Sequence, residues 1–298
     1  MLNCNLTIDI PQTLGLNQIP EIIKKWPRDQ EVTLKLAPHQ WVDPVGLVSL
    51  ACLIDHARKE FKQTPQVNFS ECSNVSYWER MDFFECLKIS GPNQSGNRHE
   101  ADGRFSEMRM IKDDNDTDSI SKSLVETLNL EKYSAAWRAV NHIITEAINN
   151  VCHHSESFGY AHAQYTPKND HVNICIADTG IGLKQSLSRI YQLKTDAQAI
   201  EKALEPCVTS NPPQNRQTER RNRGVGLTTI QRLVDASCGV LHIWSGDTLW
   251  RNGVASHGHG VWQGTLVAIS IKRDKITPQF SQMMKQLSEE LAVLEKAR

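Results

Sequence analysis

Several features that would place a protein in a membrane or secreted class are absent from these 298 residues. No apolar run approaches the roughly 18 residues that a membrane-spanning helix needs. The opening MLNCNLTIDI lacks the basic start and long apolar body of a signal peptide. The eight cysteines are scattered without a CxxC pair, which favours reduced, structural thiols. We therefore expect a cytoplasmic protein that has no membrane partner.

An excess of charge of one sign is also lacking. The 33 basic and 34 acidic residues give a net charge of -1. Bulk charge therefore does not indicate a nucleic-acid partner, and any site for a charged ligand must be local. The length suits one large domain or two ordinary domains of roughly 100 to 200 residues, and we expect two.

The first domain is predicted over residues 1–89, where strand and helix patterns alternate. The segments CNLTIDI, EVTLKLA and TPQVNFSEC have strand patterns. The segments VGLVSLACLIDHARKEF and VSYWERMDFFECLKI have helical spacing, and Pro44 suits the first turn of the former helix. These elements predict a small α/β unit.

The composition changes at residues 90–119, which are rich in Gly, Asn, Asp and Ser and predict a linker with one short strand, FSEMRMI. A second α/β domain is predicted over residues 120–272. Helical segments lead into EKYSAAWRAVNHIITEAINNVCHH, and two strands follow around the turn PKND. A less regular region from Leu183 to Arg223 precedes the helix LTTIQRLVDAS and the strands GVLHIWSG and GTLVAISIK.

Residues 273–298 predict a C-terminal helix with an apolar stripe. The stripe comprises Met283, Met284, Leu287, Leu291 and Leu294. It could form a homodimer interface or pack against its own domain.

One predicted helix, ITEAINNVCHHS, combines an apolar stripe with a line of polar residues. Glu146, Asn150 and His154 recur every four residues and therefore share one face. A carboxylate that orients water and an amide that ligates a hard cation suit a site for nucleotide and Mg²⁺. A solvated helix face would show the same spacing.

Two glycine pairs follow. In IADTGIGL, Asp178 ends an apolar strand and precedes Gly180 and Gly182. A carboxylate there can accept a hydrogen bond from the amino group of adenine, and the glycines let the backbone approach a ligand. An ordinary strand-to-turn junction is the alternative.

The second pair, in NRGVGLTTI, places Gly224 and Gly226 before a helix. Free backbone N–H groups and the helix dipole receive phosphate at such a position. A tight turn is the alternative. The basic residues around it, which could also be solvated surface, are Arg216, Arg220, Arg221 and Arg223.

In this order the motifs resemble the N, G1, G2 and G3 boxes of GHKL ATPases, over roughly residues 120 to 272. The matching positions are Glu146-x-x-x-Asn150, Asp178-x-Gly180-x-Gly182, Gly224-x-Gly226-Leu227 and Gly264-Thr265. The resemblance implies a Bergerat-type α/β sandwich, with helices on one face of a mixed sheet, that binds ATP with Mg²⁺.

The resemblance also implies residue roles. Glu146 would be the general base, Asn150 the magnesium ligand and Asp178 the adenine reader, with residues 183–223 as a lid over the nucleotide. The residues that it places against the nucleotide are Asn150, His154, Asp178, Gly180, Gly182, Arg223, Gly224, Gly226, Leu227 and Thr265.

Within that superfamily, EAINNVCHHS resembles the N box of anti-sigma-factor serine kinases, and roughly residues 4–89 resemble a STAS domain. The chain departs from antagonist STAS domains because Pro44 and Val45, after Asp43, cannot accept phosphate. Gyrase-type members would need a transducer domain after Lys272. A histidine kinase is less expected, because His99 lies in the linker without helical periodicity.

Two functions remain open. The first is an enzyme that hydrolyses ATP or transfers its γ-phosphate to Ser or Thr of an unidentified partner protein in a regulatory switch. The second is an ATP-gated binding module in which lid ordering controls the partner and catalysis is slight. Loss of function in Glu146→Ala with ATP binding intact would favour the first.

Overall fold

The computed structural model describes residues 5–38, 41–92, 103–206 and 226–276, with single positions 98, 100, 101, 208, 279, 282, 283, 285, 286, 289 and 293. In this part of the chain, the helices are α1 Ile19–Lys25, α2 Pro44–Glu60, α3 Val75–Arg80, α4 Phe83–Leu87, α5 Asp114–Glu126, α6 Ala135–His154, α7 Gly182–Leu187, α8 Asp196–Ala203 and α9 Gly226–Ala236. None of them is long and apolar enough to cross a membrane.

The N-terminal unit is built on short parallel strands. A three-stranded sheet has the order β1-β3-β5, formed by Leu6–Asp9, Val32–Lys35 and Gln66–Asn68. A separate parallel pair joins β2 (Thr13–Leu14) to β4 (Trp41–Val42). The three strands predicted from the sequence are confirmed, whereas the two-residue strands and α1 were not predicted.

Helix α2 begins as the sequence indicates. Its N-cap is Asp43, whose Oδ1 accepts a hydrogen bond from the Gly46 N–H at 2.8 Å, and Pro44 occupies the first turn. The single helix predicted for residues 75–89 is wrong. Asp82 has a left-handed backbone, with φ of 58°, so the segment divides into α3 and α4.

A seven-stranded sheet dominates the rest of the chain, in the order β11-β10-β9-β12-β8-β7-β6. Its strands are β6 Phe105–Ile111, β7 Gly159–Thr166, β8 His171–Asp178, β9 Val240–Gly246, β10 Thr248–Arg251, β11 Val254–Ser256 and β12 Trp262–Lys272. The resemblance implied a mixed sheet, but all the strand pairings are antiparallel. The short strands β10 and β11 were not predicted.

The segment predicted as a linker contributes to this sheet and to its helical layer. The strand FSEMRMI is present as β6 and pairs with β7 along the sheet edge. The acidic residues after it form the start of α5, because the Asp113 side chain accepts a hydrogen bond from the Asn115 N–H at 2.9 Å. The domain boundaries at 89, 119 and 272 stay a prediction.

The sheet has two covered faces. Helices α5, α6 and α9 pack on what we call the front face, where Ile144 and Ile148 of α6 share a core with Ile174 and Ile176 of β8. The N-terminal unit packs on the back face, with α2 lying against β7 and β8. The N-terminal unit and the back of the sheet therefore share one apolar core.

The chain continues past β12 through a 3-10 turn at Arg273–Lys275. The Arg273 Nε donates to the Thr127 carbonyl at 2.9 Å, and its guanidinium lies over the Tyr165 ring. The single positions described beyond 276 are helical. Four residues of the predicted dimer stripe, Met284, Leu287, Leu291 and Leu294, lie outside the described residues, so the homodimer stays a prediction.

Candidate nucleotide site

A cleft opens on the front face where α6, α7 and α9 meet the ends of β8 and β12. Seven of the residues predicted to form the site line it together: Glu146, Asn150, Asp178, Gly182, Gly226, Leu227 and Thr265. Gly180 lies behind this wall, within the turn after β8. Arg223 and Gly224 lie outside the described residues.

Helix α6 supplies one wall of the cleft. Its N-cap Ser134 accepts a hydrogen bond from the Trp137 N–H at 3.1 Å, which fixes where the helix begins. The buried Glu146 and the partly buried Asn150 face the cleft one turn apart. The first two residues of the predicted polar line of this helix therefore face a cavity.

The histidines at the end of α6 have separate positions. His153 lies 2.6 Å, Nε2 to Oδ1, from Asp114 at the start of α5, so it pairs with that helix. His154 is the last residue of α6, and its side chain lies outside the described part of the structure. Its predicted contact with nucleotide therefore stays a prediction.

Asp178 ends β8 on the opposite wall and is only 5 % exposed. Burial raises the pKa of its carboxyl to about 7, while hydrogen bonds from the backbone of Gly180 and Thr265 pull the pKa back down. The Gly180 N–H donates to Oδ1 at 2.8 Å. A carboxylate held in this way can accept a hydrogen bond from a ligand amino group.

The turn after Asp178 requires glycine because the backbone passes close to the end of α6. A Cβ on Gly180 would lie 1.9 Å from the Ser155 carbonyl oxygen, which itself accepts a hydrogen bond from the Ile181 N–H at 2.9 Å. Gly182 has a left-handed backbone with φ of 73°. The predicted glycine spacing is therefore explained by the approach of two backbone segments as well as by access for a ligand.

A buried serine that the sequence did not single out organises the floor of the site. Ser245 is the penultimate residue of β9, and its Oγ accepts a hydrogen bond from the Leu183 N–H at 3.0 Å and donates to the Gly264 carbonyl at 2.9 Å. It thereby ties the start of α7 to the bulge before Thr265 in β12. Only the pairing of β9 with β12 reveals this role.

The N-terminus of α9 approaches α6 closely. A Cβ on Gly226 would lie 3.0 Å from the Asn150 Nδ2, so glycine leaves room for the amide beside the helix start. Phosphate favours such a position because helix N-terminal N–H groups are free to donate. Asp178 lines the cleft from the end of β8 and Gly226 from the start of α9, which suits a base at the first and phosphates at the second.

The residues present also fit a magnesium ion that is bound mainly by its nucleotide. Among the described residues, no cluster of three or more His, Cys, Asp or Glu side chains could hold a metal alone. Mg²⁺ in nucleotide sites takes few protein ligands and keeps phosphate oxygens and waters. The oxygen of the Asn150 side chain, in the lining of this cleft, can serve as such a ligand.

Comparison with known families agrees with this geometry. Residues 136–275, from the start of α6 to just beyond β12, match the family described as histidine kinase-, DNA gyrase B-, and HSP90-like ATPase. No curated protein matches the chain. The matched segment is a GHKL-type ATPase domain, and the family supports ATP binding.

Proposed function

From the premise that residues 136–275 are a GHKL-type ATPase domain, we propose that the cleft binds ATP with Mg²⁺ and turns it over in a regulatory switch. Turnover is hydrolysis, or transfer of the γ-phosphate to Ser or Thr of a partner protein. In type the protein is closest to the cytoplasmic anti-sigma-factor serine kinases, with a STAS-like N-terminal unit. The parallel β1-β3-β5 sheet and helix α2 of the N-terminal unit support its assignment as STAS-like.

The observation that carries the proposal is the position of Glu146. Its buried side chain lines the cleft one helical turn from Asn150, and Asp178 lines the same cleft from the end of β8. An adenine at Asp178 would direct the phosphates toward Gly226, since that helix start lies against Asn150. Glu146 would then stand near the terminal phosphate.

In this arrangement Glu146 acts as the general base. Its carboxylate takes a proton from the attacking water or from a partner hydroxyl, while the cleft keeps bulk solvent from the reacting atoms. Mg²⁺, when bound beside Asn150, supplies charge neutralisation on the phosphate oxygens. The N-terminal end of the α9 dipole stabilises negative charge in the same region.

The N-terminal unit is not a substrate in cis at the position where antagonist domains carry serine. Asp43 is tied to the Gly46 N–H as the cap of α2, and Pro44 and Val45 are both buried. An aspartate, a proline and a valine at these positions offer no hydroxyl group. The phosphate acceptor is therefore sought on another protein.

One observation favours the alternative, an ATP-gated binding module. The N-terminal unit lies directly behind the strand that carries Asp178, since the Cys52 Sγ is 3.7 Å from the Ala177 carbonyl oxygen. Nucleotide bound at Asp178 would act on a strand that this unit already contacts. A partner on the N-terminal unit could thereby respond to ATP without turnover.

Glu146→Ala separates the two functions. The variant and wild type are incubated with Mg²⁺ and ATP labelled on the γ-phosphate, while free phosphate, protein-bound label and ATP affinity are followed separately. We expect release to fall by about a hundredfold or more, within the range for loss of a general base, with ATP affinity retained. Glu126→Ala, on an exposed carboxylate of α5, is the control and should behave as wild type.

The measurements test turnover by Glu146 and ATP binding separately. Release lost with binding intact supports turnover by Glu146. Tight binding without release or self-labelling in wild type supports the gated module or a partner-dependent kinase. Unchanged release in the variant contradicts the role of Glu146, and no ATP binding contradicts both functions.

A further inference from the structure

A second cavity, of about 260 Å³, lies between the N-terminal unit and the turns that shape the nucleotide cleft. Its volume approaches the lower end of the range for small-molecule sites, roughly 300 to 1,000 Å³. We call it the junction cavity. It is lined by Ile23, Trp26, Arg28, Cys52, Leu53, His56, Phe61, Thr179, Val261, Trp262 and Gln263.

Aromatic rings form much of its wall and are held in place. The Trp26 Nε1 donates to the Gln63 Oε1 at 3.0 Å, which fixes that indole at the end of α1. His56 and Phe61 meet edge to face, with ring centroids 5.2 Å apart. Trp262 is only 2 % exposed. Such a surface suits a planar, largely apolar ligand.

Polar groups in the same wall lack partners. Within the described part of the chain, the buried His56 Nδ1 and Trp262 Nε1 make no hydrogen bond. Both atoms are shielded from solvent and therefore from a ligand in this open cavity, so a charged contact has to come from another side chain. Arg28, exposed among the lining residues, adds a positive charge that suits a carboxylate.

The junction cavity shares two wall residues with the turns of the nucleotide cleft. Thr179 directly follows Asp178, and Gln263 directly precedes Gly264. The Gln263 Nε2 also donates to the Gly180 carbonyl at 3.0 Å, so this side chain holds the glycine turn from behind. A ligand that contacts Gln263 would therefore act on the turn that positions Asp178.

We propose that the junction cavity is a second ligand site, for a small aromatic carboxylate, whose occupancy changes the affinity of the cleft for nucleotide. The ring packs among Trp26, Phe61 and Trp262, and the carboxylate pairs with Arg28. The coupling rests on the nucleotide binding proposed above, but the binding of the carboxylate does not.

Calorimetric titration of the full chain with indole-3-acetate tests the site without any nucleotide. The neutral analogue 3-methylindole measures the contribution of the carboxylate. Arg28→Ala removes the cation, and Leu53→Trp fills the cavity from α2. Lys59→Ala, an exposed cation on α2 outside the cavity, is the matched control.

We expect saturable 1:1 binding to wild type and to Lys59→Ala. Binding should weaken about fivefold or more in Arg28→Ala and for 3-methylindole, because a charge-assisted contact is lost. It should be absent in Leu53→Trp. Arg28 is exposed, so its variant keeps the test valid even where the cavity-filling variant fails to fold.

Absence of saturable binding to folded wild type would overturn the site, as would equal affinities in wild type, Arg28→Ala and folded Leu53→Trp. A second titration measures ATP affinity with the cavity saturated. A change of about threefold or more, within the range for modest allosteric coupling, supports the coupling. An unchanged ATP affinity overturns the coupling, and full displacement of indole-3-acetate by ATP would place it in the cleft instead.

Discussion

The front and back faces of the seven-stranded sheet are made by the same strands but are covered differently. Along β8, Ile174 and Ile176 pack under the front helices, whereas Cys175 and Ala177 face the N-terminal unit. Strand alternation assigns neighbouring residues to opposite faces. At the end of this strand Asp178 opens onto the cleft, directly after a residue buried in the back core.

The difference shows how one sheet serves both binding and stability. The front face leaves a cleft lined by both apolar and polar side chains, and these include the buried carboxyl of Asp178. The back face is packed with large side chains such as Trp244, Trp262 and Tyr160, and the junction cavity lies at its edge. Changes in the packed back core, away from the junction cavity, should therefore act mainly on stability, and changes in the cleft on ligand binding.

The largest expected effect is on the back face, in Trp244→Ala. This side chain is fully buried and packs against Trp262 with ring centroids 5.6 Å apart. Its removal should cost about 3 to 5 kcal/mol in the free energy of unfolding, measured by urea denaturation. ATP affinity of the folded protein should change little. A loss of ATP affinity without a loss of stability would contradict the division between the faces.

A smaller effect is expected from Tyr160→Phe, which removes one hydrogen bond between the sheet and α2. The Tyr160 hydroxyl donates to Asp55, which also accepts from Arg58 at 3.0 Å. Loss of a bond to a buried charged group should lower the free energy of unfolding by about 1 to 3 kcal/mol. Tyr133→Phe, whose side chain is exposed, should leave stability unchanged. Equal free energies of unfolding in the two variants would show that the Tyr160–Asp55 hydrogen bond does not stabilise the packing of α2 on the sheet.

The smallest expected effect is a pH dependence on the front face. Burial raises the pKa of Asp178 from 3.8 to about 7 without ligand, and an adenine amino group would favour its charged form. ATP affinity should therefore fall about tenfold between pH 8 and pH 6. Asp178→Asn corrects for titration of the phosphates and should remove this part of the dependence. An identical pH profile in both proteins would contradict the role of Asp178.

The same pKa shift acts on the ligand-free fold with a defined sign. Because the folded state holds the proton more tightly than the unfolded chain, the stabilising contribution is complete below about pH 4. It is lost as the pH rises toward 7. The free energy of unfolding of wild type and of Asp178→Asn, measured by denaturation across this pH range, tests the contribution. It would be contradicted if wild type became more stable relative to the variant as the pH rises.

The larger elements could be predicted from the sequence because their hydrophobic periods are regular. The apolar stripe of α6 and the alternation in β7 and β8 both specify a face that must be buried. Two-residue strands such as β2 are too short to show the alternation of apolar and polar residues that identifies a strand. The break at Asp82 is not predictable from the sequence because helical spacing continues across it. The acidic start of α5 has the composition of a linker, so its helix is not predictable either.

The site was predictable where its residues occur in short motifs and hidden where it depends on strand pairing. Glu146, Asn150 and Asp178 stand in local patterns that indicate a face or a strand end. Ser245 is a small polar residue whose side-chain partners lie on distant segments, and Ser155 contributes through its backbone carbonyl, which accepts from the Ile181 N–H. The packing of the N-terminal unit on the back of the sheet could not be predicted from the sequence. The apolar residues of both surfaces have the pattern of ordinary core residues, which does not indicate their partner.

The most direct test of the front-face site is calorimetric binding of Mg²⁺-ATP to wild type and Asp178→Asn. Asparagine has one acceptor oxygen where aspartate has two. If that oxygen keeps the hydrogen bond from the Gly180 N–H, the side-chain NH₂ replaces the second carboxylate oxygen and meets the adenine amino group as another donor. We predict that wild type binds ATP and that the variant binds it about 10- to 100-fold more weakly while remaining folded. Equal ATP affinity in the two proteins, or no binding by wild type, would contradict the account.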